Sequence, residues 1–265
     1  MPRLTSPTGK PIPLDPVHPN QGIEAAYRRR LERLVEDMHA SIIYWLRAAY
    51  RANAPEMAQD ASPAATMRTT MRRIARRWEK NFDAGADDLA KWFAISAADR
   101  SDKALQATLR KAGFSVKFKM TAEANDVIQA TTFENVALIK SIAQQHLAEV
   151  EGLVMRSVAA GRDLQMLTDD LTKRYDITRR RAAFIARDQN NKATATITRT
   201  RQTSLGITEA IWMHSRGGKE PRPSHVAFSG QKYDPEQGAF LDGIWTFPGH
   251  EINCRCVSKS VIPGF

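Results

Sequence analysis

The sequence predicts a mainly α protein, with a long-helix N-terminal body and a small α+β C-terminal module. Three observations lead there. Apolar residues recur every three or four positions over most of the chain up to Leu205, the spacing that lines one face of a helix. Glycines and prolines interrupt that spacing at few places, and each place suits a helix end. After Gly206 the composition changes: Gly, Pro, Trp and His become frequent and the helical spacing stops. The expected division is a proline-rich extended arm over 1–20, a helical domain over 21–175, and a C-terminal module over 176–265 built of a helix plus a small antiparallel sheet.

Each element has its own signal. The arm carries Pro2, Pro7, Pro11, Pro13, Pro16 and Pro19. Proline fixes φ and lacks an amide donor, so the stretch is extended and pairs poorly with itself. It reads either as a disordered tail or as an arm that orders on a partner. A helix over 21–52 follows. Ile23, Tyr27, Leu31, Leu34, Val35, Met38, Ile42, Trp45, Leu46 and Ala49 trace one face, with Arg28, Arg29, Glu32, Arg33 and Glu36 opposite. Pro55 bars its continuation. Ser62-Pro63 has the form of a cap with proline in the first turn, and helix is expected from there to 98. Arg68, Arg72, Arg73, Arg76, Arg77 and Lys80 make a basic stripe on it, a solvated face or a contact surface. Residues 99–111 continue as helix and Gly113 stops it.

Residues 115–120 alternate polar and apolar, which suits a short strand or an extended linker. Thr121 caps the next helix, with Glu123 and Asp126 near its positive end. That helix is expected to reach about residue 160, burying Val127, Phe133, Val136, Ile139, Ile142, Val150, Leu153 and Val154. Residues 161–163 break it. A short helix over 164–175, a turn and cap at 176–178, and a helix from 179 to 205 complete the helical part. Residues 209–214, 230–233 and 252–258 are candidate short strands.

Bulk properties bound the function. With 265 residues and 42% of them hydrophobic, the chain can bury one or two real cores. The net charge of +10 favours a polyanionic partner, although an excess of charge without clustering specifies none. The only cysteines are Cys254 and Cys256. One intervening residue would strain a disulfide between them, which excludes a secreted disulfide scaffold and fits a reducing compartment or a metal. The arm has no apolar stretch of the signal-peptide kind, and no apolar run approaches the roughly 20 residues that span a bilayer. A soluble protein without a membrane partner is expected.

Familiar catalytic and phosphate-binding motifs are missing: there is no Walker-type loop, GxGxxG, GxSxG or HExxH. What stands out is an ordered set within one region. Ile185-Ala-Arg187-Asp188-Gln189 lies on a helix. Arg199, Arg201, Gln202 and Leu205-Gly206-Ile207 follow, then Trp212, Ser215-Arg216, Arg222-Pro-Ser-His225 and Gly230. The set closes with Phe247-Pro-Gly-His250-Glu-Ile-Asn253-Cys254-Arg-Cys256.

In order and spacing this set resembles the phage head morphogenesis proteins of the Mu F and SPP1-type minor head family. The resemblance covers the last third of the chain, so 176–265 is the Mu F-like module, with Asp188, Gln189, Gly206, Trp212, Arg222, His225, Gly230, Asn253, Cys254 and Cys256 as its signature. It implies a minor capsid protein that associates with the portal inside the head, with major capsid or scaffold proteins and phage DNA as further partners. Such proteins assist procapsid assembly, DNA packaging or DNA ejection, in the virion and, during assembly, the host cytoplasm. No enzymatic activity is implied.

Two questions of chemistry stay open on the residues. His225, His250, Cys254 and Cys256 are of the types that hold zinc in a tetrahedron. Some members of the family place Cys-x-x-Cys where this chain has Arg222-Pro-Ser-His225, so one cysteine position is an arginine here. Alternatively, Cys254 and Cys256 alternate on a strand and face opposite sides, one buried and one exposed, with no cofactor. In that case Trp212, His225 and Asn253 are a packed structural core. The second question is the basic helix. Arg179, Arg180, Arg181, Arg187, Lys192, Arg199 and Arg201 could meet DNA phosphates or an acidic portal surface, or be solvated. Other functional classes are a nucleic-acid-acting enzyme or toxin-like effector, with His225 beside Glu251 or Asp242, and a general basic DNA-binding protein. The few residues after Cys256 leave no room for an appended effector.

Overall fold

Four long helices carry most of the chain in the computed structural model, which describes residues 4, 6, 9–52, 62–161, 163–218 and 220–263. They are α1 (Gln21–Ala52), α2 (Pro63–Lys111), α3 (Ala122–Ala159) and α4 (Leu164–Ser204). Short elements accompany them: β1 (Ile12–Pro13), β2 (Glu209–Met213), α5 (Pro223–Ala227), β3 (Lys232–Tyr233), β4 (Ala239–Leu241), β5 (Ile244–Thr246) and β6 (Val257–Ile262). The mainly α expectation with a small strand-bearing C-terminal part therefore holds. Expectations that rest on Pro2, Pro7, Pro55 or Arg162 lie outside the described residues.

The chain folds into two compact units. One comprises Ala26–Ala90 and Phe133–Ala186, and contains no strand among the described residues. Helix α1 contributes Tyr27, Leu31, Val35, Met38, Ile42, Leu46 and Tyr50, all buried at steps of three or four. The tyrosine hydroxyls are not wasted in this core: Tyr27 donates to Asn135 Oδ1 at 2.9 Å and Tyr50 to Ser157 Oγ at 2.9 Å. Helix α3 is capped as expected, by Thr121 Oγ1 accepting from the Ala124 amide. Its Phe133, expected in the core, is instead 68% exposed, because the buried stripe runs through Asn135, Ile139, Ile142, Ala143 and His146.

The turn expected at 176–178 does not form, and α4 runs through it without a break. Neither Gly nor Pro interrupts the helix there. Thr178 is buried, its hydroxyl donating to the Arg174 carbonyl one turn back at 3.1 Å and meeting His146 Nδ1 at 2.8 Å. A threonine satisfied within the helix has no reason to cap a new one.

The other unit comprises Met1–Ala25, Lys91–Thr132 and Arg187–Phe265. A four-stranded antiparallel sheet runs β1-β6-β2-β3, and β4-β5 form a separate hairpin. The strands expected at 209–214 and 230–233 appear as β2 and β3. The one expected at 252–258 begins only at Val257, since Asn253 sits at φ 61 and the chain turns there. The described arm residues are neither a loose tail nor extended into space. Ile12 and Pro13 pair with Ile262 and Val261, and Leu14 and Val17 are buried with Leu105, Leu109, Leu205, Ile207 and Ile262. Residues 115–120 form an extended linker with no strand partner.

The end of α4 is unusual in burying a polar face. Asp188, Gln189, Asn190, Asn191, Thr194, Thr198, Arg201 and Gln202 are all buried. Buried polar groups are retained where partners wait for them. Arg201 grips Asp102 with two bonds of 2.7 and 2.8 Å and the Lys119 carbonyl with a third at 3.0 Å. Gln202 Nε2 donates to Ser258 Oγ and Ser260 Oγ on β6. The helix is thereby tied to β6 by the two polar contacts of Gln202.

Candidate functional site

The site lies where α4, α5 and the loop before β6 meet. Asp188 Oδ1 accepts from the Asn253 amide at 2.5 Å, Arg187 Nη2 donates to Asn253 Oδ1 at 3.1 Å, and Asn191 Nδ2 donates to the Cys254 carbonyl at 3.1 Å. Three residues of α4 therefore hold one loop. The loop itself needs two left-handed residues, Gly249 at φ 81 and Asn253 at φ 61. Gly249 has a second constraint: a Cβ there would lie 2.9 Å from Ala195 Cβ and 3.2 Å from the Cys256 carbonyl.

This loop turns both thiols inward. Cys254 and Cys256 are buried, and His225 Nδ1 lies 3.5 Å from the Cys254 sulfur and 3.7 Å from the Cys256 sulfur. The alternation on a strand, one thiol in and one out, does not occur, because Cys254 and Cys256 precede β6. His225 comes from α5, which Arg222-Pro223 opens. Its ring packs edge-on against Trp212, with centroids 5.0 Å apart, and Trp212 also meets Phe228 and Tyr233 edge-on. The structural-core reading of Trp212 and His225 and the ligand reading of His225 thus describe the same place.

A carboxylate stands behind the imidazole. Glu251 Oε1 is 3.1 Å from His225 Nε2, and Arg222 Nε lies 3.2 Å from Glu251 Oε2. Arg222 also donates to the Ile252 carbonyl at 3.0 Å. Asp242 takes no part with His225 and instead accepts from Ser224 Oγ at 2.6 Å. His250 is exposed, with its ring against Phe247, and stands apart from the cluster. Of the four residues expected to share a metal, the fold brings together His225, Cys254 and Cys256, whose ligand atoms all lie within 4.8 Å of one another.

The electrostatics favour one thiolate first. The hydrogen bond from Cys256 pulls Cys254 below the usual thiol range against the opposing effect of burial, helped by the Cys256 and Gly249 amides and by His225. The Gly249 amide is 3.4 Å from the Cys254 sulfur. Cys256 is pushed up, first by its bond to Cys254 and then by burial. The Trp212 indole and the Ser215 amide act the other way and would welcome a charge on Cys256. All three ligand-type residues line a cavity of about 630 Å³, along with Arg187, His214, Arg222 and Arg255.

The basic residues of α4 scatter. Arg179 and Arg180 are exposed, Arg179 being 3.8 Å from Glu32. Arg181 donates to the Ser141 carbonyl and hydroxyl. Lys192 pairs with Asp188 at 3.1 Å, and the Arg199 guanidinium lies 4.2 Å above the Phe247 ring. Arg201 is buried with Asp102, so it offers nothing to an outside partner. Of the two carboxylates named beside His225 from the sequence, Glu251 reaches its ring and Asp242 bonds Ser224 instead.

An α-helical chain ending in a small sheet, with a polar helix that clamps a Cys-x-Cys loop over a histidine, defines the class. Residues 148–259 match the family described as Phage Mu protein F like protein, so this part of the chain is similar to Mu F. A curated relative, an uncharacterized protein of Haemophilus influenzae (strain ATCC 51907 / DSM 11121 / KW20 / Rd), is 29% identical over 257 residues, covering 93% of this chain and 55% of the relative. The chain spans about half the length of that relative. No solved structure gives a significant match.

Proposed function

We propose that the chain is a minor head protein that associates with the portal inside a phage head and assists procapsid assembly, DNA packaging or DNA ejection. The observation that carries this reading is the Mu F-like match over 148–259, whose motif residues pack into one module rather than lying scattered on a surface. The role is structural and not enzymatic. The portal is the primary partner, with capsid or scaffold proteins and packaged DNA beside it. The excess of positive charge supports contact with DNA, and Arg179 and Arg180 are the exposed candidates on α4. No helix among the described residues is long and apolar enough to cross a membrane.

The deciding experiment is co-sedimentation of the purified chain with purified portal, alongside protein analysis of purified virions. Binding to portal and presence in virions are expected; failure of both overturns the proposal. A gel shift with a salt series tests the DNA contact. Affinity should fall steeply with salt, and a flat salt response would reject the phosphate contacts.

A further inference from the structure

Three donors of the kind that soft metals prefer meet in the buried wall of the cavity. Zinc holds thiolate sulfur at about 2.3 Å and imidazole nitrogen at about 2.0–2.1 Å, so a tetrahedral site places N and S about 3.5 Å apart. His225 Nδ1 stands 3.5 and 3.7 Å from the two sulfurs. The spacing fits a shared ion.

Hydrogen bonds and an ion are two ways of joining these atoms, and they differ in what Nδ1 can do. Glu251 Oε1 sits at His225 Nε2, so a carboxylate acceptor places the ring proton on Nε2. That leaves Nδ1 with a single lone pair facing two sulfurs. It accepts from one thiol at most. An ion at the centre satisfies all three atoms, and two thiolates neutralise its charge within the buried wall. Glu251 behind a ligating histidine is the outer arrangement that orients such a ring, and Arg222 holds Glu251 in turn. The Gly249 amide donates to the Cys254 sulfur, as a donor beside a thiolate does.

We propose that His225 Nδ1, Cys254 Sγ and Cys256 Sγ bind a zinc ion, with the fourth coordination position opening into the cavity and holding an exchangeable ligand. His250 is not part of the set. Soft sulfur with imidazole selects zinc over magnesium, calcium or manganese. Binding releases the thiol protons and ties α5 to the loop before β6. This site does not depend on the portal reading, since it is measured on the isolated chain.

The test uses the full chain purified with a non-chelating reductant. A single zinc ion per chain is expected, and cobalt(II) in its place should give thiolate-to-metal charge transfer and the intense visible bands of a four-coordinate ion. Cys256→Ser should abolish or strongly weaken both signals, while His250→Ala leaves them unchanged. Thiocyanate should shift the cobalt bands through the open position. A wild-type chain that holds no zinc and takes up no cobalt overturns the site without reference to any variant. Loss of metal in His250→Ala overturns the ligand set, and cobalt bands indifferent to thiocyanate overturn the open position.

Discussion

Arg201→Met is the perturbation whose size the structure fixes best. The Arg201 side chain is 4% exposed and Asp102 is 20% exposed, with bonds of 2.7 and 2.8 Å between them. Methionine keeps much of the stem that packs near Phe118, where the guanidinium lies 4.9 Å from the ring. What it removes is the charge, and Asp102 is left largely buried and unpaired. Breaking a buried pair in this way costs about 3–5 kcal/mol. Asp102 keeps a fifth of its side-chain surface in water, which lowers the figure, and the lost bond to the Lys119 carbonyl adds about 1 kcal/mol. Arg201→Met should therefore destabilise by about 3 kcal/mol. Removing the stranded charge as well, in Asp102→Asn with Arg201→Met, should recover about 2 kcal/mol, since neutral side chains tolerate that site better. Urea unfolding of the wild type, both single variants and the double variant measures the coupling. An Arg201→Met midpoint close to wild type, or strictly additive variants, would refute the buried-pair argument. The same variant should leave the salt dependence of any DNA binding unchanged, because Arg201 does not reach the surface.

Three further outcomes follow from other parts of the chain. His146 is buried, its ring held neutral by desolvation first and then by His39 and Arg174, which lowers its pKa from 6.5 to about 4. The unfolded chain takes up this proton first, so stability is complete above pH 6.5 and falls towards pH 4, by about 3 kcal/mol in all; His146→Gln should flatten that part of the pH profile, and an unchanged slope would reject it. Gly249→Ala places a Cβ 2.9 Å from Ala195 Cβ in a left-handed position, and should destabilise by roughly 2 kcal/mol or more in thermal melts. If zinc occupies the site, chelation should lower the melting temperature, since free metal at 100 times its dissociation constant contributes about 2.7 kcal/mol; a melt indifferent to chelator would contradict it.

The helices were legible because burial on one face writes itself as a spacing. The steps from Tyr27 to Tyr50 are the buried stripe of α1, and nothing else in the sequence competes with them. Legibility failed where a residue has two ways to be satisfied. Thr178 looked like a cap because Asp176-Ile177-Thr178 carries cap residues, but its hydroxyl bonds within α4 and to His146, a partner 32 positions away. The arm failed for the same reason. Its prolines forbid helix, yet a two-residue strand still pairs with Ile262 and Val261 at the edge of the sheet, where a missing amide is tolerated. Long-range partners of this kind leave no local spacing.

The thiols show how far such reasoning reaches and where it stops. Alternation on a strand was the natural expectation for Cys-x-Cys, and it puts the two sulfurs on opposite faces. The fold escapes it by two left-handed residues, Gly249 and Asn253, which are the residue types that adopt that conformation most readily. Their pairing around His250-Glu251-Ile252 was a turn signal in plain view. Read as a turn, it delays the strand until after Cys256 and lets both sulfurs face the same way. The sequence does not say towards what, because His225 lies 29 residues upstream of Cys254 and Asp188 lies 65 upstream of Asn253. Those distances also explain why the motif pieces occur as a set. Asp188, Asn191, Arg222 and Glu251 each hold one side of the same loop, so a change in any one moves both sulfurs relative to His225. Part of the signature from Ile185 to Cys256, Arg187, Asp188, Arg222 and Glu251, thus gathers around a single Cys-x-Cys turn, while Arg201 and Gln202 fix α4 elsewhere.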